Sequence, residues 1–361
     1  MMRCRAGFLI LIAILIAGRS PGSIGIAQDV GETTARPADP AREKAIARAL
    51  EALRSAQAED GSWDASFGKA TSVTSLAVMA YLACGHTPDD PGPYREVVEK
   101  GIRFVLRSQK PNGLLIAQSG HGPMYDHGIS TLMLAEVVGL AGAGGGDEAL
   151  GPECRAALAR AIDLIVQAQA IEKDAGNRGG WRYQPTSGDS DLSVTGWQLL
   201  ALRAAKSAGC AVGAGPIDDA VDYVRRCAVK NDEGGFAYQP GGGANNPRTG
   251  VGILALELCA GHRLPESLAG ASYIAKHPPS WSSAYFFYEV YYVPQALFQL
   301  GDDAFRPYFD RLAAILVEHQ ETNGTWLSAD GNDRTGGRSY CTAMAVLALA
   351  VEYRYLPIYQ R

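Results

Sequence analysis

Two short acidic stretches and one aromatic stretch carry the residue types most able to do chemistry. Asp189-Ser-Asp191-Leu-Ser193 sets two carboxyls two positions apart, directly before an apolar run. Burial makes a carboxyl harder to ionise, and a neutral carboxyl screened from water is a proton donor in waiting. On that chemistry Asp191 is the candidate acid, with Asp189 to tune it. Asp191 also stands where a helix N-cap belongs, and an aspartate there accepts the first free N–H groups of its helix. Asp126-His127 opens another apolar run in the same way. A histidine beside an aspartate can act as a general base, a metal ligand or an orienting partner. The simpler alternative is again a cap, followed by a helix-start histidine. Tyr285-Phe-Phe-Tyr288-Glu289-Val-Tyr291-Tyr292 is the most aromatic stretch. Tyr288, Tyr291 and Tyr292 could turn π-faces toward a cation, or could simply pack an irregular segment.

The elements that must position these residues repeat. Gln57-Ala-Glu-Asp-Gly-Ser-Trp63 returns as Gln320-Glu-Thr-Asn-Gly-Thr-Trp326, and weaker copies surround Gly113, Trp181 and Phe236. Each copy lies between a charged helical segment and a more apolar one. Six such hairpins, each of about 50 residues, fill the chain from Ala41 onward. First helices such as Arg42–Glu51 carry charge and face water on one side, whereas second helices such as Ser193–Leu202 are apolar almost all round and must be enclosed. One enclosed and one half-exposed helix, six times over, predicts two concentric rings: an all-α, α6/α6 toroid. A Gln amide near a helix end can satisfy free backbone groups, and a Trp can pack across the next hairpin, so the loop motif reads as a structural staple.

Aligning the second helices on Leu76, Leu132, Trp197, Val251 and Met344 brings one slot of each to a common level. Six residues earlier stand Ala70, Asp126, Asp191, Asn245 and Arg338, and the fifth repeat contributes Glu289. Parallel inner helices converge their positive N-terminal ends on one mouth. Carboxylates and an arginine are expected to gather there, with Trp197 and the tyrosines lining the space below.

Composition excludes several classes. The chain has 361 residues, 47% of them hydrophobic, and a net charge of -5 spread along its length, so neither a nucleic-acid-binding patch nor a disordered acidic tail is present. Residues 1–27 read as a cleaved export signal: Arg3 and Arg5 precede the apolar run Phe8–Ala17, and small residues stand before a cut ahead of Gln28. The apolar run is shorter than the roughly 20 residues a membrane span needs. Residues 28–40 read as a linker and 41–361 as the toroid domain. Six cysteines beyond the signal are scattered, without a Cys-x-x-Cys pair, and read as small buried residues.

The Q-x3-G-x-W loops between paired helices resemble the repeat of squalene–hopene and oxidosqualene cyclases, shared more loosely with protein prenyltransferase β-subunits. The resemblance covers roughly residues 41 to 355 and implies a single toroid. Asp189-Ser-Asp191-Leu-Ser193 is similar to the D-x-D-D-T-A acid motif of the squalene–hopene cyclases, with Asp191 at the position of the protonating aspartate. Leu192 and Ser193 replace the motif's third aspartate and its threonine. The zinc site of protein prenyltransferases would need Asp-x-Cys and a His. Ser193 stands where that cysteine belongs, and Ser339 rather than Asp precedes Cys341, so neither metal nor other cofactor is expected. What the resemblance implies is an apolar small molecule or lipid in a central cavity, with acid-initiated chemistry at Asp191, and peripheral contact with a membrane. A non-catalytic binding toroid is the alternative. A carbohydrate-processing toroid is a third reading, with Trp281 and Asp126 or Glu289 serving a groove.

Overall fold

The computed structural model describes residues 39–140, 150–231 and 233–360. The expected export signal lies outside them, as does nearly all of the linker.

Helices dominate the described residues, and the only strands are the two-residue pair Asp64–Ala65 and Gly68–Lys69. The enclosed helices are α2 (Thr71–Ala83), α4 (Pro123–Leu140), α6 (Leu192–Ser207), α8 (Asn246–Cys259), α10 (Phe286–Leu300) and α13 (Gly337–Leu349). Each packs on the next, and α13 packs back on α2, which closes the inner ring. Outside it stand α1 (Pro40–Ala56), α3 (Arg95–Arg107), α5 (Leu150–Gln169), α7 (Ala214–Arg226), α9 (Pro265–Lys276) and α11 (Asp302–His319). A four-residue helix, α12 (Gly331–Arg334), precedes the last inner helix. The sequence pattern predicts this double ring, and the structure bears it out. Several helices start earlier than their apolar periodicity does, because Pro40, Pro123 and Pro265 occupy first-turn positions where proline's missing N–H costs nothing.

The loop motif is a staple between repeats. The Gln57 amide donates to the Gly61 carbonyl at 3.1 Å in its own loop and to Val97 at 2.9 Å in the next outer helix. Gln109 and Gln169 repeat this toward Ala157 and Pro216. Gln320 reaches Ala45 of α1 at 2.8 Å, so the last repeat is bound to the first by the same bond. The Trp63, Trp181 and Trp326 indoles each donate to a carbonyl of their own outer helix, at 2.7–2.8 Å. The loop glycines Gly61, Gly113, Gly179, Gly234 and Gly324 all have φ between 74° and 91°. A Cβ on any of them would sit 2.1–2.8 Å from a carbonyl oxygen of the following outer helix. Only glycine allows both the left-handed backbone and that approach.

One part of the expected register needs correction. The loop residues Trp63, Trp181, Phe236 and Trp326 donate their backbone N–H to Thr74, Thr195, Thr249 and Thr342, each two residues before the aligned core position. In the second repeat the same bond runs from the Leu115 N–H to His127 Nδ1 at 3.1 Å. Ile129, not Leu132, is therefore the residue equivalent to Leu76 and Trp197. Gly128, Gly196 and Gly250 then fall at one level, where a Cβ would lie under 3 Å from the neighbouring inner helix. The apolar pattern of α4 repeats at several offsets, so hydrophobicity alone could not choose between them.

Candidate functional site

A cavity of about 660 Å³ opens at the N-terminal mouth of the inner ring, and all six inner helices contribute to its lining. Leu76, Ile129, Trp197 and Met344 come from their first turns or just below. The walls are mainly aromatic: Phe67, Tyr125, Tyr183, Tyr238, Tyr288 and Tyr340. His121, Asn245, Arg248, Tyr285 and Asn332 add a polar margin, and Asp333 is the one lining carboxyl among the described residues.

The anticipated mouth residues do lie at this end of the ring, but most spend their polar atoms on the scaffold. Asp191 is the N-cap of α6: one oxygen accepts from the Val194 N–H at 2.8 Å, and the other stands 3.3 Å from Arg182 Nε. It is fully buried and does not line the cavity. Burial pushes its carboxyl up to about 6, held back by the Val194 amide and the Arg182 charge. Asp189 pairs with Arg182 at 2.7 Å. Arg182 also lies over the rings of Tyr183 and Tyr238, at 4.8 and 5.4 Å from their centroids. The two aspartates thus anchor an arginine that braces two tyrosines of the cavity wall.

Asp126 caps a helix other than its own. Its Oδ1 accepts from the Ser72 N–H at 3.2 Å and the Ser72 hydroxyl at 2.7 Å, at the start of α2. The N-cap residue of α2 is Ala70, which has no side chain to offer. Burial raises the Asp126 carboxyl, and the Ser72 bonds oppose the rise. His127 has both nitrogens committed, Nδ1 accepting from Leu115 and Nε2 donating to the Ala161 carbonyl at 3.1 Å. Burial lowers its pKa to about 4, which keeps it neutral.

Glu289 is buried behind the wall, where it accepts from Asn246 at 2.9 Å and Tyr308 at 2.7 Å. Arg338 turns outward to Glu321 and Thr325. Tyr288 and Trp197 line the cavity, whereas Tyr291 and Tyr292 are packed behind Trp197, with centroids 4.9 and 5.1 Å from it. Trp281 stacks on His319 at 4.3 Å, away from the cavity lining. Among the described residues no cluster of His, Cys, Asp and Glu could hold a metal ion.

Sequence reasoning missed Asp333. It lies on α12 and is 4% exposed. Its Oδ2 accepts from the Phe287 N–H at 2.7 Å, capping α10 from outside. The N-cap position of α10 holds Tyr285 at φ 58°, which provides no side-chain cap. Burial pushes the Asp333 carboxyl up to about 7, the backbone amides of Phe287 and Tyr288 pull it down, and Asp330 and Glu289 add to the rise. Tyr183 and Tyr238 were also overlooked. They follow the loop aromatics Trp181 and Phe236 at the same two-residue spacing, and that repeated aromatic-x-Tyr was the available signal.

No known protein-family profile matches the chain. Its architecture is similar to that of several solved toroid enzymes. An α-1,6-mannanase from Salegentibacter sp. HEL1_6, in complex with α-1,6-mannotriose, superposes with a TM-score of 0.63 at 7% identity, over 87% of this chain and 99% of that one. The type II terpene cyclase MstE from Scytonema gives 0.51 at 18% identity, over 88% and 99%. A possible GH105-family member from Salmonella enterica gives 0.53 at 12% identity, over 87% and 93%. The shared feature is the α/α toroid. At these identities the likeness is one of fold, and fold alone does not carry function.

Proposed function

We propose that this chain is an exported binding toroid that holds a largely apolar molecule, of isoprenoid or other lipid type, in the cavity at the mouth of its inner ring. The observation that carries this reading is the cavity wall: aromatic and aliphatic side chains from all six inner helices, enclosing about 660 Å³. That volume lies within the range usual for small-molecule sites, which are concave and mostly apolar with a few placed polar groups.

The occupation of Asp191 by its own helix and by Arg182 favours binding over acid catalysis at that residue. A carbohydrate ligand is the second reading, favoured by the polar margin of Asn245, Arg248 and Asn332. Glycoside hydrolysis usually needs two carboxyls facing one another across the bond, and the single lining carboxyl counts against it. Titration of the purified chain with an isoprenoid alcohol and with an α-mannotriose tests both. Saturable binding of the alcohol alone supports the lipid reading; binding of the sugar alone replaces it.

A further inference from the structure

One end of the cavity differs from the rest. Asp333 lines it together with Tyr288 of α10 and Tyr340 of α13, and its carboxyl interacts with the Tyr340 hydroxyl; Trp197 and Met344 are further lining residues. Trp197 and Tyr288 meet nearly edge to face, with centroids 6.5 Å apart and planes at 67°. The carboxyl is fixed from behind, where Oδ2 accepts the Phe287 N–H at 2.7 Å. Among the described lining residues the only basic side chains are His121 and Arg248, at the margin. The Arg248 guanidinium lies over Tyr238, 5.2 Å from the ring centroid, and its backbone N–H is held by Asn245.

A carboxyl in a cavity wall shared with Tyr288, Tyr340 and Trp197 is poorly suited to an anion. Aromatic faces attract a cation through the ring quadrupole, most strongly where water is excluded, and such rings recognise quaternary ammonium groups. The carboxylate supplies the matching charge. Resting on the proposed cavity, we infer that its Asp333 end is a subsite for an organic cation, so that the ligand carries an alkylammonium-type head on an apolar body. Asp333 provides the counter-charge, and Tyr288, Tyr340 and Trp197 provide the faces.

The test uses a short-chain alkyltrimethylammonium and its shape-matched neutral analogue, in which a tert-butyl group replaces the head. Each is titrated calorimetrically into the purified full chain. The ammonium probe is expected to bind about 10- to 100-fold more tightly than the analogue. Asp333→Asn keeps an acceptor for the Phe287 N–H, so the fold is retained and the preference should drop below about threefold. Tyr340→Leu should also reduce it. Because the probe's charge does not titrate, the wild-type preference should rise with pH through about 7 as Asp333 ionises. The ionisable neighbours of Asp333 are Asp330, Glu289, Tyr340 and Cys341. Equal binding of both probes would overturn the cationic subsite and leave the apolar cavity standing. Binding of neither would overturn both, and an undiminished preference in Asp333→Asn would overturn the role given to Asp333.

Discussion

Gly179→Ala measures what the loop staples contribute. Gly179 has φ 86°, where an alanine is disfavoured by about 1 kcal/mol. A Cβ there would lie 2.1 Å from the Asp219 carbonyl oxygen of α7, far inside contact distance. That oxygen belongs to a helix backbone, so relief requires α7 to move off the loop. The movement would strain the bonds from Gln169 to the Gly179 and Pro216 carbonyls, at 2.7 and 2.8 Å. Overpacking of this kind typically adds about 1–3 kcal/mol, giving a total of about 2–4 kcal/mol. Gly209→Ala is the matched control: φ is 82°, and nothing lies within 4 Å of its would-be Cβ. It should lose only the backbone part, about 1 kcal/mol. Urea denaturation of both variants, compared at constant slope, gives the difference directly. Equal losses would refute the claim that the glycines are required by close approach between repeats.

Other outcomes follow from the same structure. Gln320→Ala removes the bond to Ala45 that joins the last repeat to the first, together with the bond to Gly324 in its own loop, and should cost about 1–3 kcal/mol, with faster amide exchange concentrated in α1. Asp191→Asn retains the cap on α6 and should change stability at pH 7 by less than about 1 kcal/mol, whereas Asp191→Leu should lose more than 2, as read by thermal unfolding. Glu136 is buried on α4, with Ile358 as its backbone donor, and burial pushes it up to about 8 from an ordinary 4.5. The folded state therefore holds that proton more tightly, so its contribution is complete below about pH 4.5 and lost as pH rises through 8. Glu136→Gln should flatten the decline in stability across this window, and an unchanged pH profile would contradict the assignment. The export proposed from the sequence would leave a mature chain that begins at Gln28, which N-terminal sequencing of the secreted or periplasmic protein would check.

The sequence made the ring legible because its staple is chemical as well as apolar. Gln, Gly and Trp each meet a recurring backbone group, and five of the six hairpin loops keep the glycine, the exception being the loop at Trp281. The cavity was harder to read. Asp191 and Asp126 carried the acid-like signal, yet a buried carboxylate at a helix start is as useful to the helix as to a reaction, and both bind amides at helix starts. Asp333 lies on the short α12, outside the repeated pair of helices, and it reaches the cavity only because α12 folds over the start of α10. No periodicity marks such a residue. His127 looked chemical because of its neighbour, when its place is that of a threonine in four of the other repeats.

Binding of a largely apolar ligand at the ring mouth can be checked by a crystal structure of the chain with an isoprenoid alcohol bound. Ligand density is expected inside the aromatic walls, in contact with Trp197 and Tyr288 and ending near Asp333. Density confined to the outer surface, or a cavity holding only ordered water at saturating ligand, would contradict it.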